Sequence, residues 1–143
     1  MASTPIGAAS VSGAGDLGLI DRAWIGELRT ALGGRRVAEM LRLLARELRK
    51  GPRQLRDALV ARQYDMAARY AHTLKGASAS AGARLVSEAA EAFERGAYAD
   101  REQAVRRIER ACDDTLHEIL RFAADEGLEA PMEVGVPGPV VQA

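Results

Sequence analysis

The chain has 143 residues, 48% hydrophobic and 28% charged, and its 20 Lys+Arg are matched by 20 Asp+Glu. This length favours one domain, and the neutral balance gives no global field to draw in nucleic acid or an anionic membrane. Two histidines and one cysteine are too few for a structural zinc site, and no apolar run approaches the roughly 18 residues that cross a bilayer.

The opening Met1-Ala2-Ser3-Thr4-Pro5 has neither a basic start nor an apolar core, so no secretory signal is expected. Cys112 has no partner for an internal disulfide and suits a reducing compartment, so the expected location is cytoplasmic. Residues 1–16 are Ala, Ser and Gly with Pro5, and residues 125–143 hold Pro131, Pro137 and Pro139 with several glycines. Both stretches have the composition of disordered tails. Residues 17–124 between them are rich in Ala, Leu, Arg and Glu, which favour helix.

The first helix is expected from Asp21, a plausible cap, to Leu32, with Trp24, Ile25, Leu28 and Leu32 on one stripe and Gly33-Gly34 ending it. The second starts near Arg35 and carries Val37, Met40, Leu41, Leu44 and Leu48 at helical spacing. Gly51-Pro52 should break or kink it before Leu55 and Leu59 resume the apolar face. A third helix covers Tyr64 to Ala81, closed by Gly82. A fourth covers Ala83 to Arg95, with Leu85, Ala89 and Phe93 inward and Gly96 as its stop. The fifth begins at Asp100 with Gln103 completing a capping box, and shows Val105, Ile108, Cys112, Leu116, Ile119 and Ala123 as one seam. Short connections between amphipathic helices make neighbours antiparallel, so the fold class is all-α: a four-helix bundle with an additional N-terminal helix.

No phosphate loop, dinucleotide fingerprint, zinc-protease motif or nucleophile elbow appears, so nothing in the sequence looks able to bind ATP or activate a water. The informative segment runs from Tyr70 to Leu85. At about 100° per residue, Tyr70 and Leu74 share a face with Ala67, Ala77/Ser78 and Ala81, which leaves His72 pointing to solvent. One turn above His72 lie Lys75 and Gly76, and one turn below lie Ala68 and Arg69. A helical glycine costs about 1 kcal/mol relative to alanine, so Gly76 points to something that must approach closely. Neutral imidazole, with an unperturbed pKa of about 6.5, is a nitrogen nucleophile able to carry a labile phosphoryl group. The Lys75 ammonium would stabilise charge on the phosphoryl oxygens. A unit charge pair ~4 Å apart is worth about 1 kcal/mol in bulk water and about 4 kcal/mol at an effective dielectric of ~20, so water exclusion by a docked partner would strengthen the effect.

Ala71-His72-Thr73-Leu74-Lys75-Gly76, followed by Gly82-Ala83 and Leu85, resembles the signature of histidine-containing phosphotransfer (HPt) domains. His72, Leu74, Lys75, Gly76, Gly82 and Leu85 all match its pattern, and the resemblance extends from about Ile20 to Leu120. It implies that His72 is the phosphoacceptor, that Lys75 steadies the phosphoryl group, and that Gly76 leaves room for a partner's receiver domain. It also implies a relay between a histidine kinase or hybrid kinase, or a receiver, and a response-regulator receiver aspartate. On this reading the protein is a carrier and not an enzyme with a nucleotide site. It needs no cofactor of its own, because the Mg²⁺ belongs to the receiver. Neither nucleic acid nor membrane is expected as a partner, and a monomer is the default. The alternative is a helical adaptor or decoy that binds a receiver or kinase domain without accepting phosphate.

Of two other reactive side chains, His117 reads as a solvated surface residue and Cys112 as a small core residue. His117 lies beside Asp113, Asp114 and Arg121 on a polar face, and Cys112 falls in the apolar seam. Trp24 and Ile25 read most simply as core; the resemblance implies that this helix can also contribute to a receiver-docking surface, so an exposed aromatic there would be meaningful.

Overall fold

The computed structural model describes residues 19–96 and 100–128. Apart from 125–128, the expected tails lie outside the described residues. Five helices follow in order: α1 (Arg22–Leu32), α2 (Gly34–Val60), α3 (Tyr64–Ser80), α4 (Arg84–Glu94) and α5 (Arg101–Glu126). α2 packs on α3 and α5, α4 packs on the same two helices, and α1 lies against α2. The result is a four-helix ring with α2 and α4 on one diagonal and α1 appended outside. Ala67, Ala71, Ala89 and Ala90 are fully buried, and these short side chains let the helices of the ring close on Leu41, Leu74, Ile108 and Ile119.

Several local expectations are corrected. α2 runs unbroken through Gly51-Pro52, with both residues buried. A proline in a helix interior costs about 3 kcal/mol, but Leu41, Leu44, Leu48 and Leu55 form one buried row on both sides of it, and that burial holds the helix together. On α1 only Ile25 is fully buried; Leu32 is exposed and Trp24 is 42% exposed. The inward face of α4 centres on Val86, Ala89 and Ala90, while Leu85 and Phe93 pack at its margin. The Asp100 carboxylate caps α5 by accepting from the Glu102 amide at 2.9 Å, rather than through a capping box with Gln103. α5 also continues past residue 124 to Glu126, where Gly127 turns left-handed and Leu128 packs onto the core.

α1 is anchored at both ends. Asp21 caps it by accepting from the Trp24 amide at 2.9 Å. The Asp21 amide donates to the Ala81 carbonyl at 3.4 Å, and the Trp24 indole donates to the Ser80 carbonyl at 3.0 Å, which fastens the start of α1 to the α3–α4 turn. Gly82 makes this approach feasible: its φ is +69°, and a Cβ there would collide with that of Asp21. Further along, Arg22 donates to the buried Glu118 carboxylate at 2.6 and 3.1 Å, and Arg29 pairs with Glu126 at 3.0 Å.

α2 and α3 pack tightly at Gly51, where a Cβ would lie 2.8 Å from Leu74 Cδ2 and 2.9 Å from its Cγ. At Gly76 an added Cβ meets nothing within 4 Å. Gly51→Ala should therefore destabilise the fold by up to about 2 kcal/mol, overpacking outweighing the gain in helix propensity, whereas Gly76→Ala should stabilise it by up to about 1 kcal/mol through helix propensity alone. Urea unfolding of the two variants checks the opposite signs.

Cys112 is buried in the α5 seam, as its spacing predicted. Burial, then the nearby Glu109 and Asp113 carboxylates, push its thiol up to about 12. The folded protein at pH 8 should resist a disulfide reagent that labels Cys112 promptly in urea. Because the folded thiol holds its proton more tightly than the unfolded one, stability should also decline as pH rises above about 9.

Candidate functional site

The rotation of α3 about its axis positions the site. Ala67, Ala71, Leu74 and Ser78 are buried, with Leu74 seated on Gly51 of α2. His72 lies about 160° from the Leu74 direction, and its side chain is 68% exposed. Gly76 and Ala79, on successive turns of the same face, are exposed as well. Trp24 reaches this face from α1 through its bond to Ser80, about 12 Å along the axis from His72. An aromatic plate thus stands at one end of a strip whose intervening residues are small.

The ring has a partner that the sequence did not reveal. Glu94, the last residue of α4, places Oε2 2.9 Å from His72 Nδ1 and Oε1 3.3 Å from Lys75 Nζ. One carboxylate therefore ties the imidazole to the ammonium. Its side chain is 23% exposed and that of Lys75 34%, so the pair lies at the edge of the packed core with the ring standing above it. An ionised carboxylate only accepts hydrogen bonds. Nδ1 therefore carries the proton and donates to Glu94, and in the neutral ring the lone pair is on Nε2. Arg69, expected to flank the ring from below, is exposed.

A signal for Glu94 was present but faint. A carboxylate in the last turn of a helix opposes the macrodipole, and α4 has no basic residue in that turn to offset it. Its alignment with His72 depends on how α3 and α4 are phased, which sequence spacing does not supply. The residues after Lys75-Gly76 provide no polar partner to the ring: the Ser78 side chain is buried, and Ser80 Oγ donates to the Ala77 carbonyl at 2.7 Å.

His117 is an internal control. Its side chain is also 68% exposed, so exposure does not separate the two histidines. Their surroundings do. His117 Nδ1 bonds the Asp113 carbonyl of its own helix at 2.9 Å, and no glycine bares the turn beside it. Among the described residues no three His, Cys, Asp or Glu side chains gather as a metal site, and no helix is long and apolar enough to cross a membrane.

The model of the family described as the Hpt domain matches residues 39–121, which is more than half of the chain. No individual curated protein and no solved structure matches it. The matched segment takes in nearly all of α2, the whole of α3 and α4, and most of α5, and so contains His72, Lys75, Gly76 and Glu94. With its helical ring and the motif on α3, the chain belongs to the HPt domain family, the phosphocarrier modules of two-component signalling.

Proposed function

We propose that His72 is the phosphoacceptor of a relay, taking a phosphoryl group on Nε2 from a histidine kinase, hybrid kinase or receiver and passing it to a response-regulator receiver aspartate. One observation carries this reading: an acceptor-only carboxylate, 2.9 Å from Nδ1, assigns the proton to that nitrogen and leaves a lone pair on the solvent-facing one. With a receiver as donor, Nε2 attacks the phosphorus of the aspartyl phosphate. An N–P bond forms, the P–O bond to the aspartate breaks, and the carboxylate is released. The reverse sequence loads the next aspartate. The phosphorylated ring carries positive charge shared with Nδ1–H, which Glu94 faces directly. Lys75, within 3.3 Å of the same carboxylate, is close enough to reorient toward the phosphoryl oxygens once a partner excludes water.

The strip of Gly76 and Ala79 ending at Trp24 is the docking surface in this reading, and the Mg²⁺ is the receiver's. Gly76 keeps the turn above the ring free of side-chain atoms, and the open space at its Cβ position means that no internal packing demands glycine there.

Incubation with a phosphorylated receiver should label the protein with acid-labile, base-stable phosphate, and His72→Gln should take up none. Label persisting in that variant would overturn the assignment. Receiver binding that survives His72→Ala, without any phosphohistidine in the parent protein, would instead establish the adaptor reading. Gly76→Leu should fold at least as well as the parent, because leucine is the better helix former, yet transfer poorly because its side chain occupies the approach to the ring. Nitrogen NMR of the His72 ring should find Nδ1 protonated in the neutral form. Glu94→Ala should lose that tautomer preference and slow transfer while leaving unfolding by urea nearly unchanged.

A further inference from the structure

The neutral total of the chain conceals a segregation of charge. α2 carries eight cations against three carboxylates, whereas α5 carries five against seven and α4 one against three. Away from α2 the arginines are mostly engaged within the fold, as with Arg22 on Glu118, Arg84 on Glu88 and Arg106 on Glu102. On α2, Arg35, Arg46, Lys50 and Arg53 are exposed and hold no ion-pair partner among the described residues. At 100° per residue these four fall within about 60° of one another and span about 27 Å of helix, and they outnumber the two exposed carboxylates, Glu39 and Asp57, that share the arc. They lie opposite the buried row of Val37, Leu48 and Leu55. Leu43, 60% exposed, borders the stripe one turn before Arg46.

The position of this face matters as much as its charge. α2 sits diagonally across the ring from α4, the helix that supplies Glu94 to the His72 ring. The outer side of α2 therefore points away from the phosphotransfer site, and a molecule seated there leaves His72 accessible.

We propose that the outer face of α2 docks an acidic helix of a partner protein, independently of the chemistry at His72. The spacing favours a helix. Arg46, Lys50 and Arg53 recur at intervals of four and three, the phase at which carboxylates line one side of a helix laid alongside. Guanidinium groups take carboxylates bidentately, and Leu43 offers one apolar contact at the edge. The stripe has no aromatic side chain on which a nucleic-acid base could stack, and a single leucine is far less apolar surface than an interfacial helix buries in a bilayer.

The test uses the full chain and a labelled synthetic peptide of about three heptads, with glutamates along one helical face and leucine beside them. A scrambled peptide of equal composition is the control, and fluorescence anisotropy reads binding. The phased peptide should bind more tightly than the scrambled one, and more weakly as salt rises from about 0.1 to about 0.3 M. The combined substitution Arg46→Glu, Lys50→Glu, Arg53→Glu should weaken it roughly tenfold or more, with Arg53→Glu alone giving a partial loss in the same direction. Phosphorylation of His72 by a receiver should be unchanged in these variants. No peptide binding, equal binding of the scrambled peptide, or indifference to charge reversal would each overturn the proposal. So would tighter binding to phosphatidylserine-containing vesicles or to a DNA duplex, and so would a loss of phosphotransfer that parallels the loss of peptide. If the parent protein takes up no phosphate, the relay reading fails while the peptide result still decides this one.

Discussion

The contact on which the site depends is the seating of Leu74 against Gly51. Two packed helices can slide and rotate over several rotamer-compatible arrangements, and a ridge entering a groove selects one of them. Here the groove is backbone, because Gly51 has no side chain and Leu74 Cδ2 would lie 2.8 Å from any Cβ added there. With Leu74 so placed, Ala71 and Ser78 on neighbouring turns are buried as well, and the ring of His72 is turned outward. The same rotation brings Lys75 to the α4 side, within reach of Glu94. A core contact on one side of α3 thus sets the electrostatics on the other.

Three glycines illustrate how differently one residue type serves this arrangement. Gly51 is small because Leu74 occupies the space beside it. Gly82 combines a left-handed backbone with the close passage of Asp21, so both its conformation and its lack of bulk are used internally. Gly76 meets neither demand: it is helical and exposed, with nothing within 4 Å of a Cβ. A helix bears a propensity cost there without any return inside the molecule. In the proposed relay that cost is offset by the close approach of a partner, one turn from the imidazole.

The same distinction explains how much was legible in advance. The outward direction of His72 follows from the period of Tyr70, Leu74, Ser78 and Ala81 alone, and the structure bears it out. Helix ends marked by Asp21, Gly82 and Gly96 were legible because capping and left-handed turns are local chemistry. What was not legible involves two elements at once. Pro52 reads locally as a break or a kink, yet the buried row on either side of it keeps α2 in one piece. Trp24 reads as core by its spacing, yet the α3–α4 turn offers its indole the Ser80 carbonyl and holds it at the surface. Glu94 reads as one more glutamate on an amphipathic helix, and its role emerges only when α4 is laid beside α3.

Net charge is a sum, and a sum discards arrangement. The carboxylates of α4 and α5 are extensively paired with arginine, as where Arg56 reaches from α2 to both Glu102 and Glu109 and holds the Glu102 carboxyl below its ordinary value. Arg95 pairs with Glu91 in the same way, one turn apart on the surface of α4. Pairing of this kind cancels the field a few ångströms away, and on the face that carries His72 it leaves the exposed Arg69 one turn below the ring and the Lys75–Glu94 pair beside it. On α2, Arg35, Arg46, Lys50 and Arg53 hold no ion-pair partner among the described residues and outnumber Glu39 and Asp57 on their face, so a cationic field extends about a Debye length, near 10 Å, into solvent. Such a field would speed the encounter of an acidic partner and orient it before contact. A bundle whose titratable residues sum to zero can thus still present a cationic face on α2, turned away from the ring of His72.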